Sequence, residues 1–237
     1  MRKIGILCAG DTELASFLPF FKEDDVIEKA MLSFHCGQIH AVDVVILYSG
    51  VCKVNAALAA QLLIDSFHVD IIINAGTAGG MQEHVQLLDT VVSERIAYHD
   101  VAEDILTEFH PWMSSAYFHA DQRLLQIVQA YSKTTERTIL FGTMVSGEQF
   151  VTDDKRDAIK KTYAPLCTDM ETAAVAHVCF VYRIPFIAIR TITDTEQHKG
   201  IENFEKNCAS ASEISAEITC ALLPQFAQDV DVLQALI

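Results

Sequence analysis

The chain has 237 residues, 51% of them hydrophobic and 21% charged, which supplies a large core and leaves no compositional case for disorder. Seventeen basic against thirty-two acidic side chains give a formal charge of −15, a balance that repels phosphate backbones and anionic lipid and argues against nucleic-acid and membrane-surface binding. Apolar runs such as residues 42–47 fall far short of the roughly 20 residues of a membrane span. Asp11 and Glu13 follow the basic start too soon for a signal-peptide apolar region, so a cytoplasmic protein is expected. Seven scattered cysteines, with no C-x-x-C pair and no histidine at ligand spacing, read as free thiols rather than a disulfide frame or a zinc site.

In chain order, β-branched runs at residues 3–8, 42–48, 70–74, 90–97, 138–145 and 186–191 predict strands. Between them, helical patterns cover 53–67, 121–132, 154–163, 170–182 and 209–223, the last with Ile214, Ile218, Ala221 and Leu222 on one face. This alternation is that of an α/β sheet covered on both faces. No repeat, linker or charge block divides the chain, so one domain over 1–237 is expected. Residues 224–237 form a C-terminal extension in which Phe226, Val230, Leu233 and Ile237 recur at helical spacing. Residues 100–120, with Pro111 and Trp112, show no period and read as a long loop.

Ligands of open α/β sheets bind beyond the carboxyl ends of strands, and five such places are rich in polar residues or glycine. Ala9–Glu13 follows the first strand, where Glu13 suits either a helix N-terminal carboxylate or a reacting group. Ser49-Gly50-Val51-Cys52-Lys53 can face an anion with its backbone N–H groups and Lys53, or form a plain strand-to-helix turn, and it lacks P-loop spacing. Asn74-Ala75-Gly76-Thr77-Ala78-Gly79-Gly80 permits close backbone approach but is no dinucleotide fingerprint. Ser146–Val151 offers the Phe150 ring to a flat heterocycle or to the core. Asp169-Met170-Glu171 opens a helix while Arg190-Thr191-Ile192-Thr193-Asp194 closes a strand, a set that can supply an acid, a base and a positioning cation or can reduce to an Arg190–Asp194 salt bridge.

Together these segments resemble the methylthioadenosine/S-adenosylhomocysteine nucleosidases of the purine nucleoside phosphorylase superfamily. The resemblance runs from Met1 to about Leu223 and includes Tyr98-His99-Asp100 and the stretch from Asp169 to Cys179. It implies a three-layer αβα sandwich around a twisted mixed sheet, a homodimer, no metal and no organic cofactor. It also implies irreversible hydrolysis of the N-glycosidic bond of 5′-substituted adenosines of the methylthioadenosine and S-adenosylhomocysteine type, releasing adenine and a 5-thio-substituted ribose. Asp194 then matches the general acid that protonates purine N7, with Thr193 where the family has Ser. Glu13 matches the general base that, with Arg190 and Glu171, holds the attacking water, and Glu171 also takes the ribose hydroxyls. Phe150 matches the residue stacked on adenine, and the Val151 backbone the group that reads the purine edge. Met170 packs under the ribose, Thr77 lies beside the nucleoside and Phe204 closes the 5′ end.

The sequence departs from this family around the 5′ pocket: Gly10 replaces Met, Cys52 replaces Gly, Asp169 replaces Glu, and residues 101–107 lose the expected motif. A phosphorylase on the same fold needs extra basic residues near the first strand, where this chain has Asp11 and Glu13. A non-catalytic nucleoside-binding protein is the alternative from another class, opposed by the presence of Glu13, Glu171, Arg190 and Asp194 together.

Overall fold

The computed structural model describes residues 2–109, 113–151, 153–197 and 201–228. Five consecutive fully buried residues form β1 (Ile4–Cys8), a strand with no polar face that must be covered on both sides. It pairs in parallel with β4 (Val42–Tyr48) and β5 (Ile71–Gly80). From β5 the sheet continues in parallel to β10 (Phe186–Asp194) and antiparallel to the short β9 (Cys167–Asp169). β8 (Ile139–Ser146) runs parallel to β9 and to β6 (Thr90–Tyr98), which returns antiparallel to β10. The strands β5, β10, β6, β8 and β9 therefore close a ring, with β7 (Tyr117–His119) added on β6. On the opposite side β3 (Leu32–Ile39) and β2 (Lys22–Lys29) extend the sheet antiparallel beyond β4.

Helices cover both faces of this mixed sheet, giving the expected αβα sandwich. One apolar layer is packed by α2 (Lys53–Asp65) and α5 (Thr172–Tyr182). Their small residues Ala56, Ala59, Ala60, Ala173, Ala174 and Ala176 are buried and let the two helices pack on each other. Leu63 of α2 lies against Gly5, where a Cβ would come within 3.1 Å of its Cδ1, and truncating such a core leucine costs about 2–5 kcal/mol. The other layer is packed by α1 (Asp11–Ala15), α3 (Gln122–Tyr131) and α6 (Ile201–Gln228). Over the ring, α4 (Asp153–Tyr163) buries Ile159 against Met81, Ala97, Val145 and Val151.

Several elements differ from the sequence expectation. β2 and β3 escape the pattern because every residue of β2 is exposed, a charged edge that discourages pairing with other chains. Their hairpin turns at Ala30–Met31 and His40–Ala41 take positive φ without glycine or asparagine, the usual turn signal. The strand expected over 70–74 does not stop there but continues through the glycine segment to Gly80. α6 begins at Ile201, not 209, and runs on through Pro224 because Leu222, Leu223 and Phe226 are all buried. Within residues 100–120, a short π-helix covers Ile105–Phe109 before β7, while Pro111 and Trp112 lie outside the described residues. Val230, Leu233 and Ile237 also lie outside them.

Candidate active site

The carboxyl ends of β1, β5, β8, β9 and β10, with the starts of α1 and α6, surround a cavity of about 460 Å³. All ten residues singled out from the sequence line it: Glu13, Thr77, Phe150, Val151, Met170, Glu171, Arg190, Thr193, Asp194 and Phe204. This location is where open α/β sheets bind ligands.

Glu13 stands at the third position of α1 and turns back toward the chain entering it. Its Oε2 accepts from the N–H groups of Ala9 (2.7 Å) and Gly10 (3.1 Å), as in one half of a capping box. Its Oε1 accepts from Thr77 N–H (2.7 Å) and Thr77 Oγ1 (2.9 Å). These capping contacts fix a buried carboxylate at the cavity wall.

Arg190 is 1% exposed and is the hub of the cavity floor. It meets Glu13 at 3.7 Å, Asp169 at 3.2 Å and Glu171 at 3.4 Å, and donates to Asn74 Oδ1 at 2.7 Å and Thr77 O at 3.1 Å. Burial works against the guanidinium charge, but Asp169, Glu13 and Glu171 together more than offset it and hold Arg190 above the usual arginine range. Among the described residues Asp194 is not one of its ion-pair partners, so the simple Arg190–Asp194 bridge does not form. Glu171 accepts the Cys52 N–H at 2.9 Å. Burial first, and the negative charge of Asp169, push its pKa up to about 7 against the pull of Arg190.

Asp194 reaches the cavity through an irregularity in β10. Its pairing with β5 shifts between Ile192 and Asp194, and such bulges re-aim side chains next to sites; here both Thr193 and Asp194 come to line the cavity. Thr193 Oγ1 donates to Asp194 Oδ1 at 2.9 Å. Burial raises the Asp194 pKa, opposed by this hydrogen bond and by the positive charge of Arg156. Asn207 of α6 donates to Thr193 O at 2.8 Å, tying the helix to this strand end.

In the Ser49–Lys53 turn the donors of Cys52 and Lys53 are already taken up by carboxylates. Lys53 Nζ is held by Asp100 at 2.9 and 3.0 Å, its N–H is taken by Glu148 at 3.2 Å, and the Cys52 N–H by Glu171. Asp169, which stands where the family has Glu, bridges Ser146, Thr172 and Arg190. Asn74 was visible only as the head of a glycine segment. Arg156 gave no signal, since it stands in the charged string Asp-Asp-Lys-Arg-Asp of α4.

Comparison with known proteins agrees with this geometry. The phosphorylase superfamily model matches residues 3–224. The 5′-methylthioadenosine/S-adenosylhomocysteine nucleosidase of Oceanobacillus iheyensis is 34% identical over 220 residues, covering 91% of this chain and 96% of the relative. The enzyme of the same name from Geobacillus thermodenitrificans is 30% identical over 93% of this chain and 96% of its own length. The nucleosidase from S. pneumoniae, solved with the transition-state inhibitor MT-ImmA, superimposes with a TM-score of 0.85 at 30% identity, covering 93% of this chain and 98% of that one. Fold, cavity and relatives converge: the chain belongs to the phosphorylase superfamily, within the family of 5′-methylthioadenosine/S-adenosylhomocysteine nucleosidases.

Proposed function

We propose that this protein is a nucleosidase that hydrolyses the N-glycosidic bond of 5′-substituted adenosines of the methylthioadenosine and S-adenosylhomocysteine type. The observation that carries the reading is one cavity with a buried Asp194, its pKa raised by burial, on one strand end and the Glu13–Arg190–Glu171 cluster beside it. Adenine leaves poorly as an anion, and the sugar it leaves behind develops oxocarbenium character. Asp194 gives its proton to purine N7 while Thr193 keeps the carboxyl oriented. Glu13 draws a proton from the water that attacks the anomeric carbon. Its four acceptor contacts are already made, so that water displaces the longest, the Gly10 N–H at 3.1 Å. Glu171 accepts from the ribose hydroxyls, Met170 lies under the sugar, and Thr77 flanks it. Phe150 stacks on adenine, the Val151 backbone reads its edge, and Phe204 covers the 5′ substituent.

Water rather than phosphate is the acceptor on electrostatic grounds. The lining carries Arg156 and Arg190 against Asp11, Glu13, Asp169, Glu171, Asp194 and Glu205, and Arg190 is already matched by three carboxylates. Adenine release from methylthioadenosine is expected without phosphate and to collapse in Asp194→Asn. A strict phosphate requirement would make the protein a phosphorylase, and binding without adenine release would make it a non-catalytic receptor.

The whole chain acts as one nucleosidase domain in this reading, as the match over residues 3–224 supports. It works as a homodimer, supported by Val51, Val54 and Leu58, which leave an exposed apolar row at the start of α2 beside the cavity. Light scattering of the purified protein tests this. Seven unpaired cysteines support a reducing, cytoplasmic setting. Among the described residues, no helix is long and apolar enough to cross a membrane.

A further inference from the structure

α4 carries charges that suit water, yet its Arg156 is only 5% exposed. Its Nη1 donates to Gly80 O at 2.7 Å and meets Met81 Sδ at 3.5 Å. Its Nε is cut off from solvent and has no hydrogen-bond partner among the described residues. A buried cation with an unmet donor is costly, so its retention beside a cavity calls for a purpose. The side chain lines the same cavity as Asp194. Gly80, which anchors it, follows Gly79, the register partner of Asp194. A Cβ on Gly79 would lie 3.1 Å from Asp194 Oδ2, so the guanidinium is moored one residue from the seat of that carboxyl.

Among the described residues, the other charged and polar groups near Asp194 are as follows. From β10 it meets the Thr193 hydroxyl, and on β5 its register partner is Gly79. Arg190, four residues earlier on β10, is matched by Glu13, Asp169 and Glu171. Asp11 of α1 and Glu205 of α6 line the cavity as exposed carboxylates. Lys160, one turn further along α4, is paired with Glu196 at 3.0 Å.

We propose that Arg156 is a positioning residue for the acid step, a buried cation that stabilises the Asp194 carboxylate left behind when its proton passes to the purine. The inference rests on the reading of Asp194 as general acid. In that step the Asp194 O–H bond breaks and an N7–H bond forms. The electron pair of the glycosidic bond moves into the purine, water supplies the hydroxyl of the sugar, and Glu13 takes the water's other proton. Burial alone makes Asp194 a weak acid; the Arg156 charge and the Thr193 hydrogen bond pull it back toward one that gives its proton readily.

The test is adenine release against pH for wild type, Arg156→Lys and Arg156→Gln. A second substrate, 4-nitrophenyl 5-methylthioriboside, has a leaving group that departs without protonation. Removing the cation raises the pKa of the acid, so Arg156→Gln is expected to move the alkaline limb of the profile upward. It should also lose roughly tenfold to a hundredfold in kcat on methylthioadenosine, with the nitrophenyl rate within about threefold of wild type. Arg156→Lys should keep the wild-type limb. Should the Gln variant not fold, Arg156→Met, which leaves no amide to satisfy, carries the same expectation. An active wild type whose limb stays put in the neutral variants, or equal losses on both substrates, overturns the proposal alone. A wild type that releases no adenine overturns the nucleosidase reading, and this proposal with it.

Discussion

Gly76 and the Glu13 carboxylate occupy space that only a glycine leaves open: a Cβ at position 76 would stand inside the carboxylate group, and the backbone there has a φ of +149°. Ser215 of α6 accepts the Gly76 N–H at 3.0 Å and donates to Ile189 O at 2.9 Å, so the strand cannot easily back away. Gly76→Ala is therefore expected to displace Glu13, cutting kcat about a hundredfold or more and costing about 1–3 kcal/mol of stability. Adenine release and urea unfolding measure both. Activity within threefold of wild type would mean that Glu13 is not needed where it stands.

Glu171 couples stability to pH in a direction that can be checked. Its unfolded reference is 4.5 and burial pushes the folded value up to about 7. The folded state thus holds this proton more tightly than the unfolded chain, so the favourable contribution is complete below pH 4.5 and is lost as pH rises through 7. Glu171→Gln removes the penalty and leaves Arg190 with Glu13 and Asp169. The variant should be more stable than wild type above pH 7 by something on the order of 1–3 kcal/mol, with the gain fading as pH falls from 7 and gone below 4.5, while activity falls. Urea unfolding at pH 4, 6 and 8 tests the trend, and a pH-independent difference would contradict it.

The Thr193 hydroxyl has one proton and two acceptors, Asp194 Oδ1 at 2.9 Å and Ala78 O at 3.3 Å. Donation to Asp194 favours its charged form. Thr193→Val should therefore raise the pKa of the acid, shift the alkaline limb of kcat/KM upward and lower kcat roughly three- to thirtyfold. Thr193→Ser keeps the donor and is expected to stay within about twofold. A serine variant as impaired as the valine one would point to the lost methyl group instead.

The fold was legible wherever hydrophobic period and strand length agreed. Ile4–Cys8 and Ile71–Ile73 announce buried strands because every side chain is apolar. The β2 strand, Lys-Glu-Asp-Asp-Val-Ile-Glu-Lys, could not be read because its residues stay exposed and only pairing with β3 orders them. The first turns of α6 were missed since Ile201, Glu202 and Glu205 face solvent, and helical period shows only once one side is buried. Residues now seen around the cavity were legible as polar groups at strand ends. The link of Asp169 to Ser146 and the anchoring of Arg156 on Gly80 were not legible, because these partners lie on other strands, β8 and β5.

Cys52 is the departure from family pattern whose cost the backbone displays. It takes φ +83° and ψ 161° as the N-cap of α2, a region essentially reserved for glycine, where other residues store about 1–3 kcal/mol of strain. What the site uses from position 52 is the backbone N–H on Glu171, which glycine also supplies. Cys52→Gly relieves the strain and gives back about 0.5–1 kcal/mol through the freer unfolded chain. A net gain of about 1 kcal/mol, or about 2–4 °C in Tm, is expected for a chain of this length, with kcat/KM within threefold. Cys52→Ala keeps the strain and should gain nothing. Thermal melts of the two variants side by side decide the matter: a glycine variant no more stable than the alanine one would show that the left-handed backbone at this turn is carried without cost.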